Sequence, residues 1–185
     1  MLTRIRLREA QKSGRRLYSN KSYGEEDAKE FNSSCVQLFH DNGYYMIRNG
    51  KIGAILLHYD VKEQKWRELM RTQYHLNNMV VNNEMLYIAS EWGYFTYNIK
   101  QGDIVHHRSL KLVNGRSLET DINTLEFDKQ GGMWIGTEKR GLLYARPQNA
   151  PFMVYKWTNP EYMKYYDMLE GQTEITEFKG KKANV

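Results

Sequence analysis

The feature of this sequence that most constrains its fold is an internal repeat. Three segments can be superposed, and each contains a short apolar strand, a polar turn, a second apolar or aromatic strand and then a glycine that opens a third strand carrying a tyrosine. The glycines that open the third strands are Gly53, Gly93 and Gly141, which are 40 and 48 residues apart. A fixed period of this length indicates a repeat architecture.

A fourth strand follows in each repeat, predicted over Trp66–Met70, Ile104–Leu110 and Phe152–Trp157. Four short strands in about 40–50 residues is the period of a β-propeller blade. The 14 Tyr and 4 Trp support strands, because aromatic side chains suit a pleated, half-buried surface. A plain antiparallel meander with coincidental glycines is the alternative. We therefore predict an all-β chain, a partial β-propeller of about three to four four-stranded antiparallel blades.

The repeats divide the chain as a single propeller portion. Residues 1–30 are expected to supply outer strands of a preceding blade, and three blades follow over 31–71, 72–116 and 117–158. Residues 159–185 are expected to be a linker and the start of the next blade, which begins at Glu174–Phe178. An open arc of blades exposes a sheet edge and an apolar flank, so the sequence predicts packing against further blades or self-association as a homo-oligomer.

The third repeat is the most specific. It runs from Asp121 to Tyr144 and contains Ile122 to Asp128, then Gly-Met-Trp-Ile-Gly-Thr from Gly132 to Thr137, then Gly-Leu-Leu-Tyr from Gly141. This pattern resembles the two-component regulator propeller repeat. The second repeat departs from it, with Leu-Tyr-Ile-Ala-Ser over Leu86–Ser90, and the first departs further.

The resemblance implies a portion of the periplasmic sensor region of a hybrid two-component system of the kind common in gut Bacteroidetes. It implies a binding module rather than an enzyme, with an oligosaccharide as the ligand class. Periplasmic location follows from the resemblance only, since Met1–Arg6 carries charge where a signal peptide would be apolar.

Composition argues against several other classes. The formal charge of +5 is mild and much of the excess lies near the two ends, so we expect no nucleic-acid partner. No apolar run approaches the length of a membrane span, so we expect no membrane contact within this segment. Cys35, the only cysteine, permits neither an intramolecular disulfide nor a zinc–cysteine site and is expected to be a small core residue.

Catalytic groupings are not evident. The adjacent His106 and His107 lie in a predicted strand, where neighbours point to opposite faces and cannot share a metal, and we expect them to be surface residues. Asp41 and Asp128 occupy similar turn positions, where a carboxylate bonds nearby backbone N–H groups. We expect no catalytic residue, no metal and no cofactor.

Ligand binding is expected on the loops that join second to third strands and fourth strands to the next blade. These loops converge on one face of a propeller and offer charged and aromatic groups suited to carbohydrate. The candidate ligand-binding residues are Arg48, Arg71, His75, Glu91, Trp92, Glu138 and Arg140. Ordinary solvated loop tips are the alternative for this set.

Two other functions remain open. The chain could be a propeller scaffold for protein–protein interaction or self-association without a small ligand. It could also be a propeller lyase or hydrolase, but the predicted inner strands Val36–Phe39, Met79–Val81 and Ile122–Phe127 contain only one acidic residue, Glu126. A ligand would act by shifting a conformational equilibrium between domains.

Overall fold

The computed structural model describes residues 25–147 and 150–155, which lie in two compact units, 1–75 and 76–185. Within the described ranges there is one short helix, α1, which spans Glu25–Glu30. The fourteen described strands are β1 (Ser34–His40), β2 (Gly43–Gly50), β3 (Gly53–Asp60), β4 (Lys65–Thr72), β5 (Leu76–Asn82), β6 (Met85–Ser90), β7 (Tyr94–Asn98), β8 (Ile104–His107), β9 (Leu110–Lys111), β10 (Ser117–Leu118), β11 (Ile122–Phe127), β12 (Met133–Thr137), β13 (Leu142–Ala145) and β14 (Met153–Tyr155).

The strands form three four-stranded antiparallel sheets in simple sequential order. These are β1-β2-β3-β4, β5-β6-β7-β8 and β11-β12-β13-β14. A small ladder of β9 with β10 lies between the second and third sheets in sequence. The prediction of an all-β chain with four-stranded antiparallel blades is confirmed, and the order within each sheet is that of a propeller blade.

Turn geometry explains the repeated glycines. Gly53, Gly93 and Gly141 all have positive φ, at 131°, 72° and 80°. An L-residue is strained in this region, whereas glycine enters it freely. Each of these glycines ends the turn between the second and third strands of its sheet.

Unit 1 contains α1 and the first sheet. A core of Phe31, Met46, Ile55 and Leu57, with Trp66 packed against it, lies on one face of that sheet. The run Ala54–Leu57 in β3 is fully buried on both faces, as expected for a central strand. Phe31 follows α1 directly, and its backbone N–H donates to the Asp27 carbonyl at 2.8 Å. Its buried side chain lies in the core of the sheet and so anchors the helix there.

Unit 2 contains the second and third sheets, which pack face to face. Its core joins Ala89 and Tyr94 of the second sheet to a set from the third sheet that includes Ile122, Leu125, Ile135 and Leu143. Leu110, Leu112 and Phe152 also belong to this core. In the third sheet, β12 and β13 bury alternate residues in this core, which is the period-2 pattern of a strand. In β11 the buried residues Ile122 and Leu125 are three apart, because the register shifts between Ile122 and Thr124.

Several sequence expectations need correction. The fourth strand of the second blade was expected to run to Leu110, but β8 ends at His107 because its partner Tyr94 is the first residue of β7. Leu110 instead starts β9 and is buried. Cys35 was expected in the core but is exposed. The expected fourth strand Phe152–Trp157 is observed over Met153–Tyr155, and residues after Tyr155 lie outside the described part.

The histidines were expected on the surface, yet both are partly buried. They do point to opposite faces, because the His106 ring stacks on Phe95 at 3.9 Å and the His107 ring stacks on Tyr94 at 4.5 Å. The strand expected at Glu174–Phe178 lies outside the described residues, as do residues 1–24 of the segment expected to supply outer strands of a preceding blade. The last residues of that segment, Glu25–Glu30, form α1.

Burial of His107 predicts a pH dependence of stability. Desolvation, helped by the charge of His106, lowers the pKa of His107 below its ordinary value of 6.5. The unfolded chain therefore takes up a proton before the folded chain does, and stability falls as the pH drops below about 6.5. Burial lowers the pKa of His58 in the same direction.

We expect urea midpoints of the full chain to decline between about pH 7.5 and pH 5.5, a window set by the unfolded histidine pKa. The variant His107→Gln should decline less steeply, because only the His58 contribution remains in that window. Parallel pH curves for the two proteins would contradict the burial of His107.

Candidate functional site

The candidate site lies at the strand ends that carry the turns between second and third strands. In the second sheet this turn is Ser90–Gly93, and in the third sheet it is Thr137–Gly141. The two turns lie at the same end of unit 2. The Gly93 backbone N–H donates to the Thr120 carbonyl at 2.9 Å, and Ile122, two residues later, pairs with Thr137.

The Ser90–Gly93 turn presents Trp92 to solvent on a fixed backbone. The Ser90 hydroxyl accepts the Trp92 backbone N–H at 3.0 Å, and the Ser90 N–H donates to the Gly93 carbonyl at 3.1 Å. Trp92 itself is 42% exposed. A large aromatic side chain held on a rigid turn loses little conformational freedom when it binds a ligand.

His106 fixes the other side of this turn, and sequence reasoning did not place it there. Its Nε2 lies 2.6 Å from the Trp92 carbonyl oxygen. Because a carbonyl oxygen only accepts, Nε2 carries the proton, which leaves Nδ1 to accept the Arg108 Nε–H at 3.4 Å. The His106 ring is in turn stacked on Phe95. The Trp92 backbone is thus hydrogen-bonded at both its N–H and its carbonyl.

The Thr137–Gly141 turn supplies the other predicted residues of unit 2. The Thr137 hydroxyl donates to the Gly141 carbonyl at 2.7 Å and accepts the Arg140 backbone N–H at 2.9 Å. Glu138 is exposed and Arg140 is partly exposed. Both turns therefore open with a hydroxyl residue that caps the turn and close with a positive-φ glycine.

The predicted ligand-binding arginines of unit 1 form hydrogen bonds and ion pairs with other residues of the protein. The Arg48 Nε–H donates to the Phe31 carbonyl at 2.9 Å. The Arg71 guanidinium lies 5.0 Å from the centre of the Phe31 ring and bonds both Glu68 and Asp27, at 2.8 and 3.0 Å. These contacts give both arginines a structural role in holding Phe31 and α1.

His75 follows β4 in sequence, and its side chain contacts the turn between β2 and β3. Its Nε2 lies 2.8 Å from the Gly50 carbonyl oxygen. The structure thus brings Glu91 and Trp92 to the same strand end as Glu138 and Arg140 in unit 2, and brings Arg48 and Arg71 together at Phe31 in unit 1. The ligand-binding role of all seven residues stays a prediction.

A shallow depression of about 550 Å³ lies beside α1, lined by Glu26, Lys29, Glu30, Asn32, Lys51 and Ile52. Its lining contains two glutamates and two lysines, so it has no net charge that would favour an ionic ligand. Over residues 25–147 and 150–155, no group of three His, Cys, Asp or Glu is placed to hold a metal ion. None of the helices in that part is long and apolar enough to cross a membrane.

The turn that carries Trp92 depends on Gly93. A Cβ at this position would meet the His107 carbonyl oxygen, and φ is 72°. We expect Gly93→Ala to lower the free energy of unfolding by about 1–3 kcal/mol, the cost of a strained backbone. Gly102 is a matched control, since its φ is 80° but no heavy atom lies within 4 Å of its Cβ position. Chemical denaturation should show a smaller loss for Gly102→Ala, and equal losses would contradict the close approach at Gly93.

No family model and no curated protein matches this chain. Among solved structures, the chain is similar to the extracellular domain of BT4673 from B. thetaiotaomicron, with 18% identity and a TM-score of 0.49 over 66% of this chain. That protein is assigned to the hybrid two-component systems in this structure and to the one-component systems in a second one, which has a TM-score of 0.48 over 68% of this chain at 18% identity.

A third similar structure is the extracellular domain of BT3049 from B. thetaiotaomicron, assigned to the hybrid two-component systems. Its identity is 13%, and its TM-score is 0.36 over 75% of this chain. The present chain spans 16% of each BT4673 structure and 24% of the BT3049 structure.

Proposed function

We propose that this chain is a ligand-sensing portion of the extracytoplasmic region of a two-component regulator, that it acts by binding and not by catalysis, and that its ligand is a carbohydrate. The proposal rests on the resemblance of the Asp121–Tyr144 repeat to the propeller repeat of such regulators. The Trp92 turn supports a carbohydrate as the ligand. A sensor portion of this kind lies in the periplasm, so we propose a periplasmic location for this chain.

The single observation that carries the binding site is the exposed Trp92 ring on a turn held by Ser90, His106 and Thr120. An aromatic ring offers an apolar face against which the C–H groups of a pyranose can pack. Glu91 lies in this turn and Arg108 lies beside Gly93, and both charged residues are exposed. Charged side chains can form hydrogen bonds with sugar hydroxyls, which favours a saccharide over an apolar ligand.

Binding of such a ligand would be read out as a change in domain arrangement. A ligand shifts an equilibrium only by its difference in affinity for two states. The Trp92 turn is bonded to Thr120, which leads into β11 of the next sheet. This continuous connection offers a route by which contact at Trp92 biases the packing of the two sheets.

A thermal-shift screen of the full chain against defined oligosaccharides tests the proposal. A ligand at about 100 times its Kd should stabilise the chain by about 2.7 kcal/mol and raise its melting temperature. Unrelated anions and amino acids serve as ligand controls. A panel of plant and host oligosaccharides that leaves the melting temperature unchanged would favour the alternative, a scaffold for protein interaction.

A further inference from the structure

The third sheet carries an aromatic surface on the side opposite its core, and the second sheet shows what such a surface does. We define the Trp134 face as Glu126, Trp134, Gly136, Leu142 and Tyr144, which are neighbours in the ladders of β11, β12 and β13. Leu142 is 40% exposed, and Trp134 and Tyr144 are partly exposed.

The internal repeat gives each residue of this face an equivalent in the second sheet. Ala89 pairs with Tyr94 beside the Ser90–Gly93 turn, just as Gly136 pairs with Leu142 beside the Thr137–Gly141 turn. Tyr87 lies two residues before Ala89, and Trp134 lies two residues before Gly136, so these two aromatic residues are also equivalent. On the first strands, Tyr87 pairs with Val80 and Trp134 pairs with Glu126.

In the second sheet, these equivalent residues form the contact with the following blade. Ala89 and Tyr94 are buried in the core shared with the third sheet, and Val80 and Tyr87 pack against it. The Tyr87 ring makes an edge contact at 4.7 Å with Phe127, the last residue of β11. By repeat equivalence, Trp134 is placed to receive an aromatic residue at the end of the next first strand.

The polar groups of the two aromatic rings on the Trp134 face already have a hydrogen-bond partner, the carboxylate of Asp128. The Trp134 Nε1–H donates to the Asp128 carboxylate at 3.3 Å, and the Tyr144 hydroxyl also bonds that carboxylate. Asp128 further accepts the backbone N–H groups of Gly132 and Gln130, at 2.7 and 3.0 Å. Although desolvation acts in the opposite direction, these hydrogen bonds lower the pKa of Asp128. Both rings can therefore be buried without leaving an unpaired donor.

The sequence contains a segment with the required pattern of residues. Glu126–Phe127 ends β11, and about one repeat later the chain contains Glu177–Phe178 at the end of Glu174–Phe178. We propose that the Trp134 face receives this strand as the first strand of a further blade, with Phe178 against Trp134 in the way that Phe127 lies against Tyr87. Glu174–Phe178 lies outside the described residues, so the proposal is carried by the sequence pattern and by the two described sheets.

Solvent access to Trp134 in the full 185-residue chain tests this proposal independently of any ligand. The four tryptophans are labelled with 5-fluorotryptophan, Trp134→Phe and Trp92→Phe assign two of the fluorine resonances, and the shift between H2O and D2O reports exposure. We expect a small isotope shift for Trp134 in the parent chain. In Phe178→Ala that shift should approach the value of the exposed Trp92, while Phe39→Ala, an exchange at another exposed aromatic, should leave it unchanged.

A second variant tests the receiving side. Leu142→Glu places a carboxylate on the Trp134 face and should expose Trp134 as Phe178→Ala does, with the circular dichroism of the sheets retained. An isotope shift of Trp134 that is the same in the parent and both variants would overturn the proposal. Protection of Trp134 that appears only as the protein concentration rises would overturn it too, because a second copy would then be the occupant.

Discussion

Replacement of Leu125 by alanine is expected to lower the free energy of unfolding by about 2–5 kcal/mol, the range for large-to-small changes in a packed core. Leu125 is only 1% exposed and lies in the core between the second and third sheets. The loss combines the transfer of apolar surface with the cavity left behind. Because small domains are stable by only about 5–15 kcal/mol, this single change should shift the urea midpoint substantially.

Thr124 provides the matched control for this change. It precedes Leu125 on the same strand and is exposed, so Thr124→Ala should cost less than about 1 kcal/mol, within the range of β-propensity effects. A one-residue change of register would exchange the two faces of β11. A larger loss for Thr124→Ala than for Leu125→Ala would therefore contradict the face assignment of the third sheet.

Replacement of Trp92 by alanine is expected to weaken binding of any oligosaccharide found in the screen by about 30-fold or more, the loss of an aromatic hot spot worth about 2 kcal/mol. Stability should change by no more than about 0.5 kcal/mol, as for most surface positions. The hydrogen bonds to Ser90 and His106 use the backbone of residue 92, so the turn keeps them in the variant. Isothermal titration calorimetry measures the affinity, and chemical denaturation measures the stability.

Phe39 gives the control for this aromatic deletion. It is 52% exposed, but it lies beside the turn between β1 and β2, at the other strand end of its sheet. Phe39→Ala should bind the same oligosaccharide with unchanged affinity. Equal losses in Phe39→Ala and Trp92→Ala would place binding elsewhere, and full affinity in Trp92→Ala would exclude the Trp92 turn.

Much of the fold could be predicted because the repeat combines two local signals. Alternating apolar residues mark the strands, and glycines mark the turns that need positive φ, as at Gly93 and Gly141. What failed was the length of the fourth strand in the second blade. Its end is set by the partner strand β7, which begins at Tyr94. A sequence pattern does not show at which residue the pairing between two strands ends.

Turn chemistry was also only partly predictable. Asp128 does bond the backbone of its turn, as expected for an Asp before glycine. At the similar position in the first sheet, Asp41 and Asn42 instead adopt positive φ, at 44° and 59°. Asp and Asn tolerate this left-handed conformation better than other non-glycine residues, so the same residue type serves two different turns.

The site was less predictable than the fold because its geometry depends on contacts between distant residues. Arg48 and Arg71 have the character of ligand-binding groups, yet both contact Phe31, which is remote from them in sequence. His106 looked like a surface residue, but the second sheet brings it to the Trp92 carbonyl. Trp92 could be singled out from sequence because a tryptophan in a short polar turn before a glycine has little apolar surface to pack against.

The central claim is that this chain is built from propeller blades and binds a saccharide at the strand ends that carry Trp92. An NMR titration of the isotope-labelled full chain with an oligosaccharide from the screen tests it most directly. We expect chemical-shift changes concentrated in Ser90–Gly93, including the Trp92 indole, with smaller changes in Thr137–Gly141. Changes centred on the turns at the opposite strand ends, at Asp41–Asn42 and Asp128–Gly132, would contradict the account, as would a spectrum that no saccharide in the panel alters.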